Sequence, residues 1–382
     1  MATKNKKSTK KLSFRKTSPL KMLLAVVVVS AVAGIGTYLL TRSNAATGGY
    51  AHTCEIKSDK TLWCWGQNDS GQLGIGSTTD KTVPTKVNIA GVTSVSAGDS
   101  HTCARKTDGS LWCWGYNDKG QLGIGSTTGK RVPTQLYIAG VTSVSAGDSH
   151  TCARKTDGTL WCWGYNDKGQ LGINSTISKN VPTQLYIAGV ASVSAGYGHT
   201  CATKTDGTLW CWGYNAYGQL GIGNTTASNV PKRVNIAGVA SVSAGDDHTC
   251  ATKTDGSLWC WGYNSTGKLG IGNTTGKTVP TQLYIAGVSS VSAGLYHTCA
   301  TKTDGTLWCW GGNNWAQLGI GTTTNKYVPT QLYIAGVASV YAGNDKTCAT
   351  KTDGTLWCWG DNYIGQLGIG NTTYKTVPTR VW

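Results

Sequence analysis

The stretch HTCARKTDGSLWCWG, residues 101–115, decides the fold of this chain. Near-copies of it begin at six other positions, which are His52, His150, His199, His248, His297 and Lys346. In each copy two apolar runs flank a short turn, which is Thr-Asp-Gly in six of the seven. A Gly-containing turn of this kind between two apolar runs is typical of a β-hairpin. The sequence therefore predicts the same hairpin seven times.

The register of the hairpin places two cysteines opposite each other. If residues 107–109 form a three-residue loop with Gly109 in the left-handed conformation, Lys106 pairs with Ser110. Cys103 then faces Cys113 at a non-hydrogen-bonded position, where Cα atoms are about 4.5 Å apart and a disulfide can form. A two-residue Asp-Gly turn would separate the sulfurs. We therefore expect seven disulfides within the hairpins: Cys54–Cys64, Cys103–Cys113, Cys152–Cys162, Cys201–Cys211, Cys250–Cys260, Cys299–Cys309 and Cys348–Cys358.

Two other roles for the cysteines remain open from sequence alone. Free cysteines are good small core residues, and His101, Cys103 and Cys113 share a hairpin face that could ligate zinc. The zinc site lacks a fourth ligand, and the last copy has Lys346 in place of the histidine. We expect no metal and no cofactor.

The hairpin belongs to a unit that recurs every 49 residues. The seven units are 43–91, 92–140, 141–189, 190–238, 239–287, 288–336 and 337–382. In the second unit, strands are predicted at 92–98, 101–106, 110–115 and 132–138, and a Gly-rich loop at 116–125. Four strands per unit in seven units predict an all-β, seven-bladed β-propeller.

The predicted hairpin has two largely apolar faces. The two cysteines lie on one face, and Trp112 and Trp114 lie on the other, opposite small residues. Stacked blades would bury both faces, with the tryptophans of one blade against the disulfide of the next. We expect the tryptophans to be core, and the recurring histidines to bond to the neighbouring loop rather than to catalyse.

The two ends of the array depart from the pattern. Residues 43–49 are a weak first strand, and unit seven reaches Trp382 without an Ile-Ala-Gly turn, so no extra strand is evident to close the ring. In the first unit Lys60 replaces the turn glycine, and we expect that turn to differ.

The segment before the repeats predicts export. Residues 1–21 are basic and predicted to be cytoplasmic, and 22–40 is an uncharged run of 19 residues that suits a transmembrane or signal-anchor helix. A linker follows at 41–49, and the propeller covers 50–382. Whether the helix stays as a membrane anchor or is cleaved near Ala45, the repeats are expected outside the cell, on the cell membrane or secreted. Paired cysteines agree with an oxidising compartment.

The charge does not indicate a nucleic-acid partner. Of the formal net charge of +16, residues 1–42 supply +9, and the remaining +7 is spread over 340 residues without a Lys/Arg cluster. A nucleic-acid interface needs a concentrated basic patch. We expect no nucleic acid and a monomeric propeller.

The run HTCARKTDGSLWCWGYNDKGQLGIG, residues 101–125, resembles the repeat of the regulator of chromosome condensation family. The specific part is Trp-Gly-x-Asn-x-x-Gly-Gln-Leu-Gly at 114–123 and 163–172, altered at Lys268 and Ala316 in later units. The resemblance covers residues 50–382 and implies a seven-bladed propeller. The paired cysteines look like those of secreted bacterial members. The family's founding role, nucleotide exchange on a nuclear small GTPase, is a weaker alternative for an exported chain.

Comparison of the seven copies points to a binding face. The loops after strands two and four are nearly constant, whereas those after strands one and three vary and emerge at one end of the ring. Aromatic and charged side chains at such positions are typical of binding sites. The candidate binding residues are Tyr50, Tyr197, Tyr217, Asp246, Asp247, Tyr296, Trp315, Asp345 and Tyr363.

The predicted function is a non-enzymatic binding scaffold for a protein or a glycan. No Ser/His/Asp set or metal motif is present in the sequence, so no catalytic residue is assigned. The alternative is a secreted carbohydrate-active enzyme, a polysaccharide lyase or hydrolase, that would use Asp246, Asp247 and Asp345.

Overall fold

The computed structural model describes Met1 and residues 46–382, and all of its regular structure is β-strand. The strands in chain order are β1 (Ala46–Gly48), β2 (His52–Ile56), β3 (Leu62–Gly66), β4 (Lys81–Lys86), β5 (Val92–Ala97), β6 (His101–Lys106), β7 (Leu111–Gly115), β8 (Lys130–Gln135), β9 (Val141–Ala146), β10 (His150–Lys155), β11 (Leu160–Gly164), β12 (Lys179–Gln184), β13 (Val190–Ala195), β14 (His199–Lys204), β15 (Leu209–Gly213), β16 (Ser228–Arg233), β17 (Val239–Ala244), β18 (His248–Lys253), β19 (Leu258–Gly262), β20 (Lys277–Gln282), β21 (Val288–Ala293), β22 (His297–Lys302), β23 (Leu307–Gly311), β24 (Lys326–Gln331), β25 (Val337–Ala342), β26 (Lys346–Lys351), β27 (Leu356–Gly360) and β28 (Lys375–Arg380).

These strands form seven antiparallel sheets of four consecutive strands, so the predicted seven-bladed propeller is confirmed. Each blade is built from one stretch of chain, and the first blade uses the short β1 as its first strand. Among the described residues, the ring closes without a strand exchanged between the first and last blades.

The hairpin has the predicted register. Cys103 pairs with Cys113, and Lys106 N donates to Ser110 O across the turn. Gly109 has φ of 78°, the left-handed conformation that the three-residue loop requires. All seven expected disulfides are present, each with a Cα–Cα distance of 4.1 Å. The alternatives of free thiols and a zinc site are therefore wrong for these cysteines.

The outermost strand is displaced from its predicted position. In the second blade it covers Lys130–Gln135 rather than 132–138. The register shifts between Cys113 and Gly115, which lets the strand begin earlier. It ends earlier because Leu136 turns inward, is almost fully buried, and donates its N–H to Leu111 O. Pro133 lies within this outer strand. Proline has no backbone N–H to donate, and on the outer edge of the sheet no neighbouring strand requires one.

Neighbouring blades stack as predicted, with tryptophans against a disulfide. Cys103 and Cys113 of the second blade pack with Trp163 of the third, and Trp161 covers the same cluster. The two tryptophans of a hairpin are not equally buried: Trp163 has no exposed surface, whereas Trp161 is half-buried. Trp163 Nε1 donates to Gln121 O of the preceding blade at 2.9 Å. Full burial of such a ring contributes up to about 5 kcal/mol.

The recurring histidines form a second link between blades. His101 Nε2 lies 2.9 Å from Thr151 Oγ1 of the next blade, a strand residue rather than the expected loop. Thr151 Oγ1 donates its only proton to Gln121 O at 2.9 Å. The histidine must therefore donate from Nε2, which leaves Nδ1 as an unprotonated nitrogen with no partner. The same arrangement recurs at all six histidines.

The seam between the last and first blades uses different residues for the same purpose. Lys346 replaces the histidine, is 1% exposed, and donates from Nζ to Gly49 O at 3.0 Å and to Tyr50 O at 3.3 Å. Trp382 packs its indole edge-on against Trp63 and Trp65, at centroid distances of 6.4 and 5.5 Å. The seam is thus held by one buried amine and an additional aromatic ring.

Two further expectations concern the first blade and the N-terminal segment. The turn at Lys60 does not differ from the others, because Lys60 adopts φ of 64° in place of glycine and keeps the hydrogen bond to Lys57 O. No helix in residues 46–382 is long and apolar enough to cross a membrane. The predicted helix at 22–40 lies outside the described residues.

Candidate functional site

The loops after the first and third strands of each blade meet at one end of the ring. Tyr116, after β7, donates its N–H to Ser100 O, after β5, at 2.8 Å. Thr266 Oγ1 donates to Tyr296 O of the following blade at 2.9 Å. These loops therefore form one continuous surface, which we call the variable face. All nine candidate binding residues lie on it.

The centre of the variable face is a cavity of about 360 Å³ at the axis of the propeller. Its walls are the Ala-Gly ends of the first strands, which let the backbones of neighbouring blades approach closely. Gly98, for example, has no room for a Cβ, because that atom would lie 2.3 Å from Gly147 O. The residue after each glycine lines the opening, which we call the channel mouth: Tyr50, Asp99, Asp148, Tyr197, Asp246, Leu295 and Asn344.

Three carboxylates of the channel mouth influence one another. Burial, with a smaller contribution from the charge of Asp99, raises the pKa of Asp148 to about 6. The pKa of Tyr197 is raised first by the charge of Asp148, with smaller effects of Asp246 and Asp99. The mouth is therefore acidic and poorly solvated, and a cationic group placed there would gain attraction in a low-dielectric site.

Asp246 and Asp247 form a carboxyl pair beside a buried lysine. Burial, and then the charge of Asp247, raises the pKa of Asp246 to about 7. Lys268 is 2% exposed and donates to Leu295 O at 2.9 Å. Burial lowers its pKa, which the charges of Asp247 and Asp246 oppose. Asp246 and Asp247 thus lie side by side, and Lys268 partly neutralises their charge.

Aromatic side chains cluster on the variable face at the fourth and fifth blades. Tyr217 contacts Tyr214 edge-on at 6.1 Å and Tyr263 of the next blade at 4.6 Å between ring centroids. Gln219 of the same loop donates to Asp247 Oδ1 at 3.4 Å. This platform joins an aromatic surface to the carboxyl pair.

The remaining candidates lie on the sixth and seventh blades. Asp345 accepts a hydrogen bond from Gln317 Nε2 at 3.0 Å, and burial raises the pKa of Asp345 to about 6. The pKa of Tyr296 is raised by burial and then by the charge of Asp345. Trp315 and Tyr363 are exposed, at 49% and 80%. Of the nine candidates only Tyr50, Tyr197 and Asp246 line the channel mouth, so the nine form a broad surface rather than one pocket.

The nine candidates leave out five residues that belong to this site. Asp99 and Asp148 line the channel mouth, Lys268 lies beside the carboxyl pair, and Tyr214 and Tyr263 complete the platform. Lys268 could have been found from sequence, because it replaces a glutamine that the other six units keep. Within residues 46–382, no cluster of His, Cys, Asp and Glu side chains is suited to hold a metal ion.

The model of the RCC1-like domain matches residues 39–288. Models of the regulator of chromosome condensation repeat match 288–314 and 337–366, and 304–350 and 353–381. No curated protein matches.

Several solved structures share the fold at low sequence identity. Prp20p from Saccharomyces cerevisiae has a TM-score of 0.79 and 22% identity, and the match covers 86% of this chain and 87% of Prp20p, a protein that binds Gsp1p and histones. Human WBSCR16 has a TM-score of 0.77 and 23% identity, covering 84% and 94%. The ectodomain of the Arabidopsis thaliana receptor kinase ACR4 has a TM-score of 0.51 and 20% identity, covering 87% and 97%.

Proposed function

The chain belongs to the RCC1-like domain family, and we propose that it is an exported, non-enzymatic binding scaffold that captures its ligand on the variable face. The observation that carries the proposal is the contrast between the two ends of the ring. The repeats agree in the hairpin turn and in the blade connection, and they differ where exposed aromatic rings and carboxylates surround the channel mouth.

The seven disulfides support export. Disulfides persist in oxidising compartments and are rare in the cytosol. Every hairpin carries one, and none of the described cysteines is free. The uncharged run at 22–40, with nine basic residues and no acid within 1–42, supports the same placement.

The chemistry of the variable face favours a protein over a neutral glycan. Asp99, Asp148 and Asp246 make the mouth acidic, and tyrosines surround them. Carboxylates and aromatic rings together attract ammonium and guanidinium groups. A partner that presents Lys or Arg fits this surface, and the aromatic platform at Tyr217 would supply further contact area.

The experiment compares ligand capture by two versions of the full-length chain on a panel of cell-surface proteins and glycans. In one version Tyr217, Tyr296, Trp315 and Tyr363 are all replaced by alanine, and we expect at least a tenfold loss of binding for any captured ligand. In the matched control, four hairpin-turn residues at the opposite end are replaced by alanine, namely Asp108, Asp157, Asp206 and Asp255. This control should bind the ligand as the native chain does. Undiminished capture by the aromatic variant would refute the assignment of this face.

A second candidate function is glycan cleavage, favoured by the carboxyl pair alone. Asp246, with a pKa of about 7, could act as a general acid near neutral pH. Turnover on a polysaccharide panel, abolished by Asp246→Asn but not by Asp157→Asn, would favour the enzyme. Absence of turnover together with retained ligand capture would favour the scaffold.

A further inference from the structure

A second set of surface features lies between the outer parts of neighbouring blades, and none of the nine candidate binding residues lines it. A groove of about 490 Å³ separates the outer parts of the fifth and sixth blades, and one of about 620 Å³ separates the sixth and seventh. We call these the outer grooves. The first is lined by Ile271, Ile285, Trp308 and Val328, with Lys302 and Tyr284 at its margin. Their lining is largely apolar and, unlike that of the channel mouth, includes no Asp or Glu.

Each outer groove is bordered by a tyrosine that the fold does not require. Tyr284 and Tyr333 are 106% and 108% exposed, so their rings make almost no contact with the protein. Tyr137 and Tyr186 occupy the same position in the second and third blades and are equally exposed. The first and fourth blades have Asn88 and Asn235 there and keep the same strands. Packing therefore does not explain these four fully exposed aromatic rings, two of which, Tyr284 and Tyr333, border the grooves.

The seam shows that the walls of such a groove accept an aromatic ring. Trp63 and Lys57 of the first blade correspond, in the 49-residue repeat, to Trp308 and Lys302. At the seam the indole of Trp382 lies edge-on against Trp63, and Lys57 Nζ lies 3.3 Å from the centroid of the Trp382 ring. In the first outer groove the corresponding lysine lies over the tryptophan of its own hairpin, with Lys302 Nζ 5.6 Å from the Trp308 centroid.

The charge around the outer grooves is positive. The outer strands of the three blades that border the grooves, β20, β24 and β28, contain four Lys and Arg and no Asp or Glu. The acids nearest to the groove lysines are turn residues: Asp304 lies 3.9 Å from Lys302, and Asp353 lies 3.9 Å from Lys351, as exposed pairs. Exposed pairs of this kind bind weakly and can exchange partners.

We propose that the outer grooves bind aromatic side chains flanked by carboxylates, carried by an acidic segment of a partner protein. The aromatic ring enters the groove against Trp308 or Trp357 and stacks with the bordering tyrosine, and the carboxylates face the basic outer strands. Since neighbouring grooves are similar, a segment with two such rings gains affinity by engaging two grooves at once. None of the nine candidate binding residues lines either groove, and the proposal does not depend on the function proposed above.

The test uses a fluorescent peptide with two Asp-Glu-Trp-Asp-Glu motifs joined by a flexible Gly/Ser linker, and the full-length chain. We expect saturable binding that weakens with salt, and at least a tenfold weaker affinity for the same peptide with alanine in place of both tryptophans. Equal binding of the two peptides would show charge attraction alone and overturn the proposal. If a sulfated polysaccharide or single-stranded DNA displaced both peptides equally well, the grooves would bind polyanions in general, and the proposal would also be overturned.

Variants locate the site. Val328 and Val377 are half-exposed at the groove margins, and the double change Val328→Asp with Val377→Asp should weaken binding of the tryptophan peptide at least tenfold. Tyr284→Ala with Tyr333→Ala removes only exposed rings, so it keeps the fold and should also weaken binding. Tyr363→Ala, on the variable face, should leave peptide affinity unchanged. Peptide affinity that is insensitive to both groove variants would refute the site.

Discussion

Acidification should destabilise the propeller through its buried histidines, and His150 gives the sharpest test. Burial alone lowers the pKa of His150 from 6.5 to about 4. Its Nε2 contacts Thr200 Oγ1 at 2.8 Å, and its Nδ1 has no partner. The folded chain therefore keeps this ring neutral at a pH where the unfolded chain protonates it.

The magnitude follows from the two pKa values. Between pH 6.5 and pH 4 the unfolded state binds about one more proton per histidine than the folded state, so the free energy of unfolding falls as pH falls. The loss is about 1.4 kcal/mol per pH unit, or about 2 kcal/mol for His150 between pH 7.5 and pH 5. Asp148, Asp246, Asp345 and Glu55 have raised pKa values and act in the opposite direction.

The measurement compares the native chain with His150→Gln, so that the contributions of these acidic groups to the pH dependence cancel in the difference. Urea unfolding is followed by tryptophan fluorescence at pH 7.5 and pH 5. From pH 7.5 to pH 5 the free energy of unfolding should fall by about 2 kcal/mol more for the native chain than for the variant. In addition, ¹⁵N NMR should show histidine rings protonated at Nε2 and not at Nδ1. Equal pH dependence of the two proteins, or a protonated Nδ1 at pH 6, would refute the account of these histidines.

Three further predictions concern stability. Replacing Cys152 and Cys162 by alanine should lower the unfolding free energy by about 3 kcal/mol, because the disulfide closes a loop with a sequence separation of 10. Alkylation of the native chain before reduction should label no thiol within residues 46–382. Gly123→Ala should cost clearly more than Gly158→Ala in chemical denaturation: both have positive φ, which costs about 1 kcal/mol, but only at 123 would the Cβ lie 2.6 Å from a buried indole nitrogen. Burial lowers the pKa of Lys346 to about 7, so above pH 7 the folded chain releases a proton that the unfolded chain keeps. The free energy of unfolding of the native chain should therefore rise by about 2 kcal/mol between pH 7 and pH 9. A Lys346→Met variant with an equal rise would contradict this interpretation.

The repeat made the hairpin and the stacking of blades predictable. Seven copies place Cys103 and Cys113 in one register, and the two apolar faces require a neighbour on each side. Those inferences need only local pairing and the burial of apolar surface. The outer strand was misplaced by two residues at its start, because the bulge between Cys113 and Gly115 has no signal in an alternating pattern.

The site was predictable in outline and not in its contacts. Comparing the repeats located the variable face, since loops vary where packing does not constrain them. The Tyr217–Tyr263 contact joins two blades, and such a distance depends on the ring geometry rather than on one unit. The role of Lys346 was likewise hidden, because its acceptors, Gly49 O and Tyr50 O, lie at the other end of the sequence.

The most direct test of the proposed function is site-specific photo-crosslinking on intact cells. A photoreactive amino acid is placed at Tyr296 on the variable face, or at Asp157 in a hairpin turn at the opposite end, and both positions are exposed. An exported scaffold that binds through the variable face predicts a discrete crosslinked partner from position 296, formed outside the cell, and none from position 157. Crosslinks from 157 alone, or crosslinks that form only to cytosolic proteins, would contradict the account.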